Sequence, residues 1–495
     1  MNKEHDGYVV YYKENDKELP FGVVSDDYEC KANTDYIPSR LKEYLVQIED
    51  RRFFGHCGID VRGIARAAFS NIKAGKIVQG GSTITQQLAR NIIKDNRRSI
   101  SRKLKEAIKA LELESSYSKD EILNLYFNNV YFGKNLRGIR TAGLHYFGKE
   151  VDNLTHTELL YLLTILRGPN YYINRPEKSI SRFLNLSKML CDAKIISQNR
   201  HIKDKRTKFV LQDNLFQTIK RQTIPFIIQL ENSKHKRILS TIDIKIQNFA
   251  KQFVDESKYP VSIVAIQNRK VVAFASSYGT DYPFISKSNV GSTLKPFLYC
   301  YLRESGILLT EKFSAFKNDL NWNVREVTYY NSFLNISEAL FCSNNNVFLN
   351  ASSKVGIDGS LQYLADVLNL NSNDFYLSSI LGATKKGISL YELAYAYSIF
   401  FDIKNLTETK RECLSILNRI FKNKLGFTIE NVFLKTGTTN DNKERYAVLG
   451  NSDITFAVLR NENTINDESK EGSFMKYIAR QFLSYLNPKN DYKWI

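Results

Sequence analysis

From about Pro38 to Leu190, apolar residues recur at three- and four-residue spacing. They do so in Tyr44–Ile48, Ile64–Ile72, Ser82–Ile93, Ile100–Glu114, Lys119–Phe127 and Thr155–Leu166, which predicts one amphipathic helix after another. Before this zone, Tyr8–Tyr12 and Phe21–Val24 read as strands, so residues 1–37 form an extended, β-rich lead-in. Residues 191–236 are dominated by Lys, Arg, Gln and Asn around one apolar patch, Ile224–Leu230, and predict a basic linker with a solvated face. Beyond about Arg237 the pattern becomes strand-like in Val261–Ile266, Val271–Ala275, Val432–Lys435, Ala447–Gly450 and Ile454–Leu459. Helical stretches at Thr293–Arg303, Leu361–Leu368, Leu390–Ile399 and Phe474–Tyr485 fall between or after them. An all-α domain over 38–190 followed by an α+β domain over 237–495, built on a largely antiparallel sheet, is the expected architecture. On the helix from Ile100, Leu104, Ile108 and Leu111 form the expected core stripe, and Arg102, Lys103 and Glu106 fall on the other side.

Length and composition agree with this division. The 495 residues are enough for two domains with separate cores, and 43% hydrophobic residues with only 9 prolines and 24 glycines exclude collagen-like and mostly disordered chains. Lys and Arg number 70 against 52 Asp and Glu, a net charge of +18 that favours polyanionic partners: nucleic acid, anionic lipid or a diphosphate-bearing substrate. No reading module for nucleic acid accompanies the charge. Six cysteines without CxxC spacing and six histidines indicate neither a disulfide framework nor a zinc site. The N-terminus lacks the apolar segment of a signal peptide, and the longest aliphatic run, Leu159–Leu166, is short of the ~20 residues that span a bilayer.

The first chemical constellation begins with Glu49-Asp50-Arg51-Arg52-Phe53-Phe54-Gly55-His56-Cys57-Gly58 and continues with Gly80-Gly81-Ser82-Thr83-Ile84-Thr85-Gln86-Gln87. Paired glycines let a backbone approach a ligand closely, Ser82 is a natural helix cap, and helix-start N–H groups suit an oxygen-rich anion. Arg90, Arg97, Arg98, Arg102 and Lys103 follow, with Glu106 projecting among them. Guanidinium forks match phosphate oxygens bidentately, as a diphosphate leaving group requires.

The second constellation is Ser292-Thr-Leu-Lys295, then Ser343-Asn344-Asn345, then Lys435-Thr436-Gly437-Thr438-Thr439. An SxxK places hydroxyl and amine on one helix face but is common alone. The ordered series SxxK, SxN, KTG is the signature of penicillin-binding proteins and class A β-lactamases.

The runs EDRRFFGHCG, QGGSTITQQLARN, RKLKE, SKDEILNLYFNNVYFG and LRGPNYY resemble, in order, the five motifs of the family 51 peptidoglycan glycosyltransferases. STIDIKIQ, GSTLKPF, LYELAYAYSIF and KTGTTND resemble the penicillin-binding transpeptidase domain. Together they resemble a bifunctional, class A penicillin-binding protein, nearest in layout to the 1C type.

The resemblance implies a lysozyme-like helical domain with a small jaw toward the membrane, and a β-lactamase-like serine domain. It implies polymerisation of lipid II with inversion and release of undecaprenyl diphosphate, and cross-linking of stem peptides by D,D-transpeptidation through an acyl-serine. Glu49 would be the general base and Glu106 the second acid. Arg90, Arg98, Arg102 and Lys103 would hold the diphosphate, and Ser82, Thr83, Gln86 and Gln87 would shape the sugar and phosphate subsites. Ser292 would be the nucleophile, Lys295 its base, and Ser343 with Asn345 the proton relay. Lys435, Thr436, Gly437 and Thr438 would hold the substrate carboxylate, with the N–H groups of Ser292 and Thr438 as oxyanion donors. Arg90 stands where the family more often has lysine, and Val290 where it usually has proline.

The implied partners are lipid II and the growing glycan strand, stem peptides, β-lactams as covalent inhibitors, and the outer-leaflet membrane surface at the extracytoplasmic or periplasmic face; nucleic acid is not among them. A divalent cation, Mg or Mn, is allowed by the resemblance. A different reading of the charge and the apolar pattern is a catalytically degraded regulator that holds anionic lipid or glycan at a membrane surface.

Overall fold

The computed structural model describes residues 7–26, 29–75, 80–93, 99–207, 209, 211, 217–320, 322–324, 332–402, 406–426, 432–439, 444–461, 478, 481 and 482. The chain forms two compact units, Met1–Arg221 with Leu230–Leu239, and Gln222–Gln229 with Ser240–Ile495.

In the first unit the strands Val9–Glu14 and Lys17–Val24 pair antiparallel across a turn in which Asn15 and Asp16 take positive φ. Gln217–Ile219 joins the second strand in parallel, and Arg237–Ser240 joins the first. The stretch 191–236, expected as a linker, thus contributes two strands to this sheet, Gln217–Ile219 and Ile228–Asn232, and it carries the helix Gln198–Asp204 as well.

The remainder is helical. Ser39–Glu49, Val61–Ala74, Ile84–Ile93, Ile100–Ser116, Lys119–Asn129, Ile139–Phe147, His156–Ile165 and Pro176–Asp192 are the principal helices. Two of them start on capping boxes written in the sequence, Ser118 with Glu121 and Thr155 with Glu158. The long aliphatic run lies in His156–Ile165, where Leu159, Leu160, Leu162, Leu163 and Ile165 are buried in the unit's core beside Phe127 and Phe183. At roughly 1.5–3 kcal/mol per fully buried large side chain, this helix anchors the unit. Among the described residues no helix is long and apolar enough to cross a membrane.

One expectation is inverted. On Ile100–Ser116 the predicted core stripe faces outward: Leu104 is 62% and Ile108 59% exposed, and Leu111 is exposed too, whereas Glu106, Ala110 and Leu113 are buried. Periodicity marks two faces without saying which one turns inward. Here Ala110 lets the helix backbone approach the Gly58 loop, whose Cβ position lies 3.0 Å from the Ala110 carbonyl. Glu106 tolerates burial because two cations reach it. Val61, Ile64, Phe69 and Ile72 of the helix Val61–Ala74 are likewise exposed.

In the second unit five antiparallel strands run in the order Phe433–Thr438, Glu444–Gly450, Ile454–Asn461, Val261–Gln267, Lys270–Ser276. Phe253, Ile263, Leu434 and Phe456 belong to its core. Phe433–Thr438 is an edge strand, bordered in its sheet only by Glu444–Gly450 among the described strands. The helix Lys295–Glu304 packs among Ile336–Cys342, Asn345–Val355, Ile357–Leu368 and Glu408–Leu425. The helix expected over Phe474–Tyr485 lies outside the described residues except at 478, 481 and 482.

Candidate active sites

Glu49 is the last residue of its helix, and the chain turns immediately after it. Asp50 is buried in that turn, where its carboxylate accepts from the N–H of Ile84 at 3.1 Å and from Nε2 of His56 at 3.1 Å. The start of Ile84–Ile93 is thereby pinned beside Glu49. The cap of this helix is Thr83 rather than the expected Ser82. Thr83 Oγ1 accepts from the Gln86 N–H at 3.1 Å, and the Gln86 side-chain oxygen Oε1 accepts from the Thr83 N–H at 3.1 Å. Thr83 Oγ1 also donates to the Gly58 carbonyl at 2.6 Å. Gln86 is consequently buried in the cap. Ser82, freed from capping, accepts from Lys103 Nζ at 3.1 Å.

A cleft of about 500 Å³ opens here, its wall including Glu49, Asp60, Gly81, Ser82, Thr83 and Gln87. Gln87 Nε2 donates to Glu49 Oε2 at 3.2 Å. Glu106 is not itself on that wall. It is 1% exposed, paired with Arg102 Nε at 3.1 Å and Lys103 Nζ at 2.6 Å, and joined to the wall through the Lys103–Ser82 contact. Arg90 is exposed in the last turn of its helix. Arg97 and Arg98 lie outside the described residues.

Sequence reading passed over three arginines on the wall, Arg66, Arg167 and Arg182. Burial pulls the Arg182 guanidinium below its ordinary value, with Tyr172 and Glu49 acting in the opposite direction. The LRGPNYY run contained Arg167, whereas nothing local marks Arg182. Among the described residues no three His, Cys, Asp or Glu side chains converge as a metal cage. The described residues therefore do not by themselves form a cage for the divalent cation the resemblance allows.

In the second unit a tight 3₁₀ turn, Gly291–Leu294, carries half-buried Ser292 into the helix Lys295–Glu304, which Pro296 opens. Lys295 is fully buried. Its Nζ donates to Asn345 Oδ1 at 2.7 Å and to the Ser343 carbonyl, and lies 3.4 Å from Ser343 Oγ. Lys435 Nζ reaches the same hydroxyl at 3.0 Å and the Thr436 carbonyl at 2.8 Å. The Ser343 hydroxyl therefore lies within reach of the Nζ atoms of both lysines. It is presented there by a left-handed backbone, φ 63°, that ends the helix Ile336–Cys342.

The edge strand and the serine turn approach so closely that only glycine fits. A Cβ on Gly437 would lie 2.3 Å from the Val290 carbonyl, and one on Gly291 would lie 2.5 Å from the Thr438 carbonyl. Thr438 is exposed on the wall of a cleft of about 440 Å³ shared with Trp322, Lys385 and Glu444. Thr436 Oγ1 accepts from Lys424 Nζ at 3.1 Å. Tyr397, another residue the sequence did not single out, is buried and donates to the Thr293 carbonyl at 2.5 Å, bracing the turn from behind.

The profile of the Transglycosylase family matches residues 20–190. The chain is 32% identical over 406 residues to penicillin-binding protein 1F of Bacillus subtilis, covering 74% of this chain and 56% of that protein. It is 33% identical over 246 residues to penicillin-binding protein 1A of Aquifex aeolicus, covering 48% and 34%. The crystal structure of penicillin-binding protein 1A from Haemophilus influenzae superposes with a TM-score of 0.52 at 12% identity, covering 98% of this chain and 93% of that one, a likeness of fold. The chain spans about half the length, or less, of these curated relatives.

Proposed function

This chain belongs to the class A penicillin-binding proteins, and from that premise we propose that it polymerises lipid II and cross-links the stem peptides of the resulting glycan. The helical domain is taken as residues 38–190 behind the lead-in 1–37, with 191–236 as connector and 237–495 as the transpeptidase domain.

In the first reaction the Glu49 carboxylate takes the proton of the acceptor sugar's 4-hydroxyl as its oxygen attacks the anomeric carbon of the donor. The configuration inverts, and the undecaprenyl diphosphate leaves with the bonding electrons. Negative charge grows on the diphosphate as the bond breaks, so Arg102 and Lys103, assisted by Arg90 and Arg98, act where transition-state stabilisation is largest. Glu106 holds Arg102 and Lys103 in place. In the second reaction Ser292 Oγ attacks the penultimate D-alanyl carbonyl. Its proton passes to the Lys295–Ser343–Lys435 group, D-alanine leaves, and an amine of another strand takes the acyl group. The N–H groups of Ser292 and Thr438 face the developing oxyanion, and Lys435, Thr436 and Thr438 hold the carboxylate. A β-lactam acylates the same serine.

The observation that carries this reading is the crevice itself: Glu49 and Ser82 both line it, and Lys103 links Ser82 to buried Glu106. The outward apolar stripe of Leu104 and Ile108, with Phe69 and Ile72, supports work at the extracytoplasmic membrane surface, where a lipid-linked substrate resides. No observation favours the non-enzymatic regulator. The test is incubation of the purified protein with lipid II and, separately, with a fluorescent penicillin. A ladder of glycan strands and a single label at Ser292 are expected; absence of both would overturn the proposal.

A further inference from the structure

Two side chains from different helices reach Glu49, and a third, from another helix, stands behind one of them. Gln87 Nε2 donates to Oε2 at 3.2 Å, and Arg182 Nη2 lies 3.8 Å from Oε1. Gln87 is in turn held from behind by Tyr126, whose hydroxyl donates to Gln87 Oε1 at 3.1 Å. Tyr126 is buried, and burial, with the nearby Glu49 charge second, pushes its phenol far above the ordinary range, so it remains a proton donor.

The carboxamide of Gln87 has two faces, and only one arrangement satisfies both neighbours. With the phenol donating to the carbonyl oxygen, the NH₂ must point at the carboxylate. Were the amide reversed, two acceptor oxygens would meet. Removing a single buried hydroxyl therefore removes what sets the amide's direction.

Arg182 is equally fixed. Its Nε donates to the Thr164 carbonyl at 3.0 Å, its guanidinium lies 5.6 Å over the Tyr172 ring, and its side chain is 15% exposed. Other charges border the same cleft: Asp50, Arg51 and Arg52 follow Glu49 in the chain, and Asp60, Arg66 and Arg167 also line it. Of these groups, only Arg182 has a recorded ion contact with Glu49 among the described residues.

We propose that Tyr126, acting through Gln87, and Arg182, acting directly, are positioning residues that aim the two oxygens of the Glu49 carboxylate into the cleft. Neither touches the reacting sugars. Both act by fixing the geometry of the group that does, and geometry of this kind is worth factors of roughly 10–100 in rate. The inference rests on the proposed glycosyl transfer.

The test is steady-state polymerisation of fluorescent lipid II by the full chain and by Tyr126→Phe, Arg182→Gln and Arg182→Lys, with Glu49→Gln as the inactive control. Tyr126→Phe and Arg182→Gln are expected to lower kcat about 10-fold or more with KM within about twofold of the parent, and Arg182→Lys to recover most of the loss. Tyr126→Phe removes one oxygen and keeps the ring, so it carries the test if Arg182→Gln does not fold. A raised KM with unchanged kcat would make these substrate-binding residues, and unchanged kcat and KM would leave them without a role; either result overturns the proposal. A parent protein that makes no polymer, or a Glu49→Gln variant as active as the parent, would instead overturn the glycosyl-transfer reading on which it stands.

Discussion

The two sites hold their charged groups in opposite ways. In the helical unit Glu49 is a quarter exposed, on an open wall, with contacts of 3.2 and 3.8 Å. In the serine unit Lys295 and Lys435 are buried and share the Ser343 hydroxyl, while the surrounding backbone segments close to within a Cβ of one another. The first site is assembled from long side chains on separate helices, as the proposed transfer between two large substrates with a charged leaving group would require. The second lies against an edge strand, where the proposed reaction would bind a short peptide end, and its shape is set by the main chain. Side-chain chemistry should therefore dominate substitution effects in one site, and backbone volume in the other.

The sharpest way to break this contrast is Gly437→Val. Its Cβ position lies 2.3 Å from the Val290 carbonyl, and nothing flexible stands there to give way. The rate of labelling by fluorescent penicillin should fall by at least about 100-fold, with lipid II polymerisation unchanged. Undiminished labelling would show that the serine turn is not held by that contact.

Next in size is Glu106→Gln, which leaves Arg102 and Lys103 without their buried anion. Breaking such a buried pair costs about 3–5 kcal/mol when no water reaches it, and less here because Lys103 is half exposed. Polymerisation should fall by roughly 10- to 100-fold, with penicillin labelling intact. Ser82→Ala, which removes only the exposed end of the Lys103 contact, should cost a few-fold at most.

A third test concerns the outward stripe. Leu104→Glu with Ile108→Glu should change unfolding free energy by no more than about 0.5 kcal/mol, as for other surface substitutions. Co-sedimentation with anionic phospholipid vesicles should drop severalfold. A large loss of stability would return the stripe to the core.

The smallest effect concerns acid. Burial raises the carboxyl of Glu150, but the Arg140 fork at 2.8 and 2.9 Å, the Tyr11 hydroxyl and nearby Arg237 outweigh it, so the group is held below its ordinary value. A carboxylate so held contributes stability above its unfolded pKa, near 4.3 in model peptides, and that contribution disappears as pH falls through the lower folded value. Thermal melting against pH should show a shallower acid decline in Glu150→Gln than in the parent.

Much of this was legible in the chain. The change from helical to strand-like spacing along the chain matches a largely helical first unit and a second unit built on a five-stranded antiparallel sheet, because periods of 3.6 and 2 are set by local geometry. Ser118-x-x-Glu121 and Thr155-x-x-Glu158 announced helix starts for the same reason. The two motif series identified Glu49 and Ser292 as residues of interest. What stayed hidden depends on tertiary contact. The facing of Ile100–Ser116 was misread because its polar side carries an acid that its own cations make buriable. Ser82 was preferred as the cap because both Ser and Thr favour that place, and only the reciprocal Gln86 bond selects Thr83. Arg182 and Tyr126 act on Glu49 across 133 and 77 positions of chain, and no local spacing encodes such a meeting.

The central claim is that one chain carries two chemically independent sites. It is tested most directly by a reciprocal pair, Glu49→Gln and Ser292→Ala, each assayed for glycan polymerisation from lipid II and for labelling by fluorescent penicillin. The account predicts that Glu49→Gln labels like the parent and makes no polymer, and that Ser292→Ala polymerises and takes no label. A Glu49→Gln protein that still polymerises at the parental rate would contradict it.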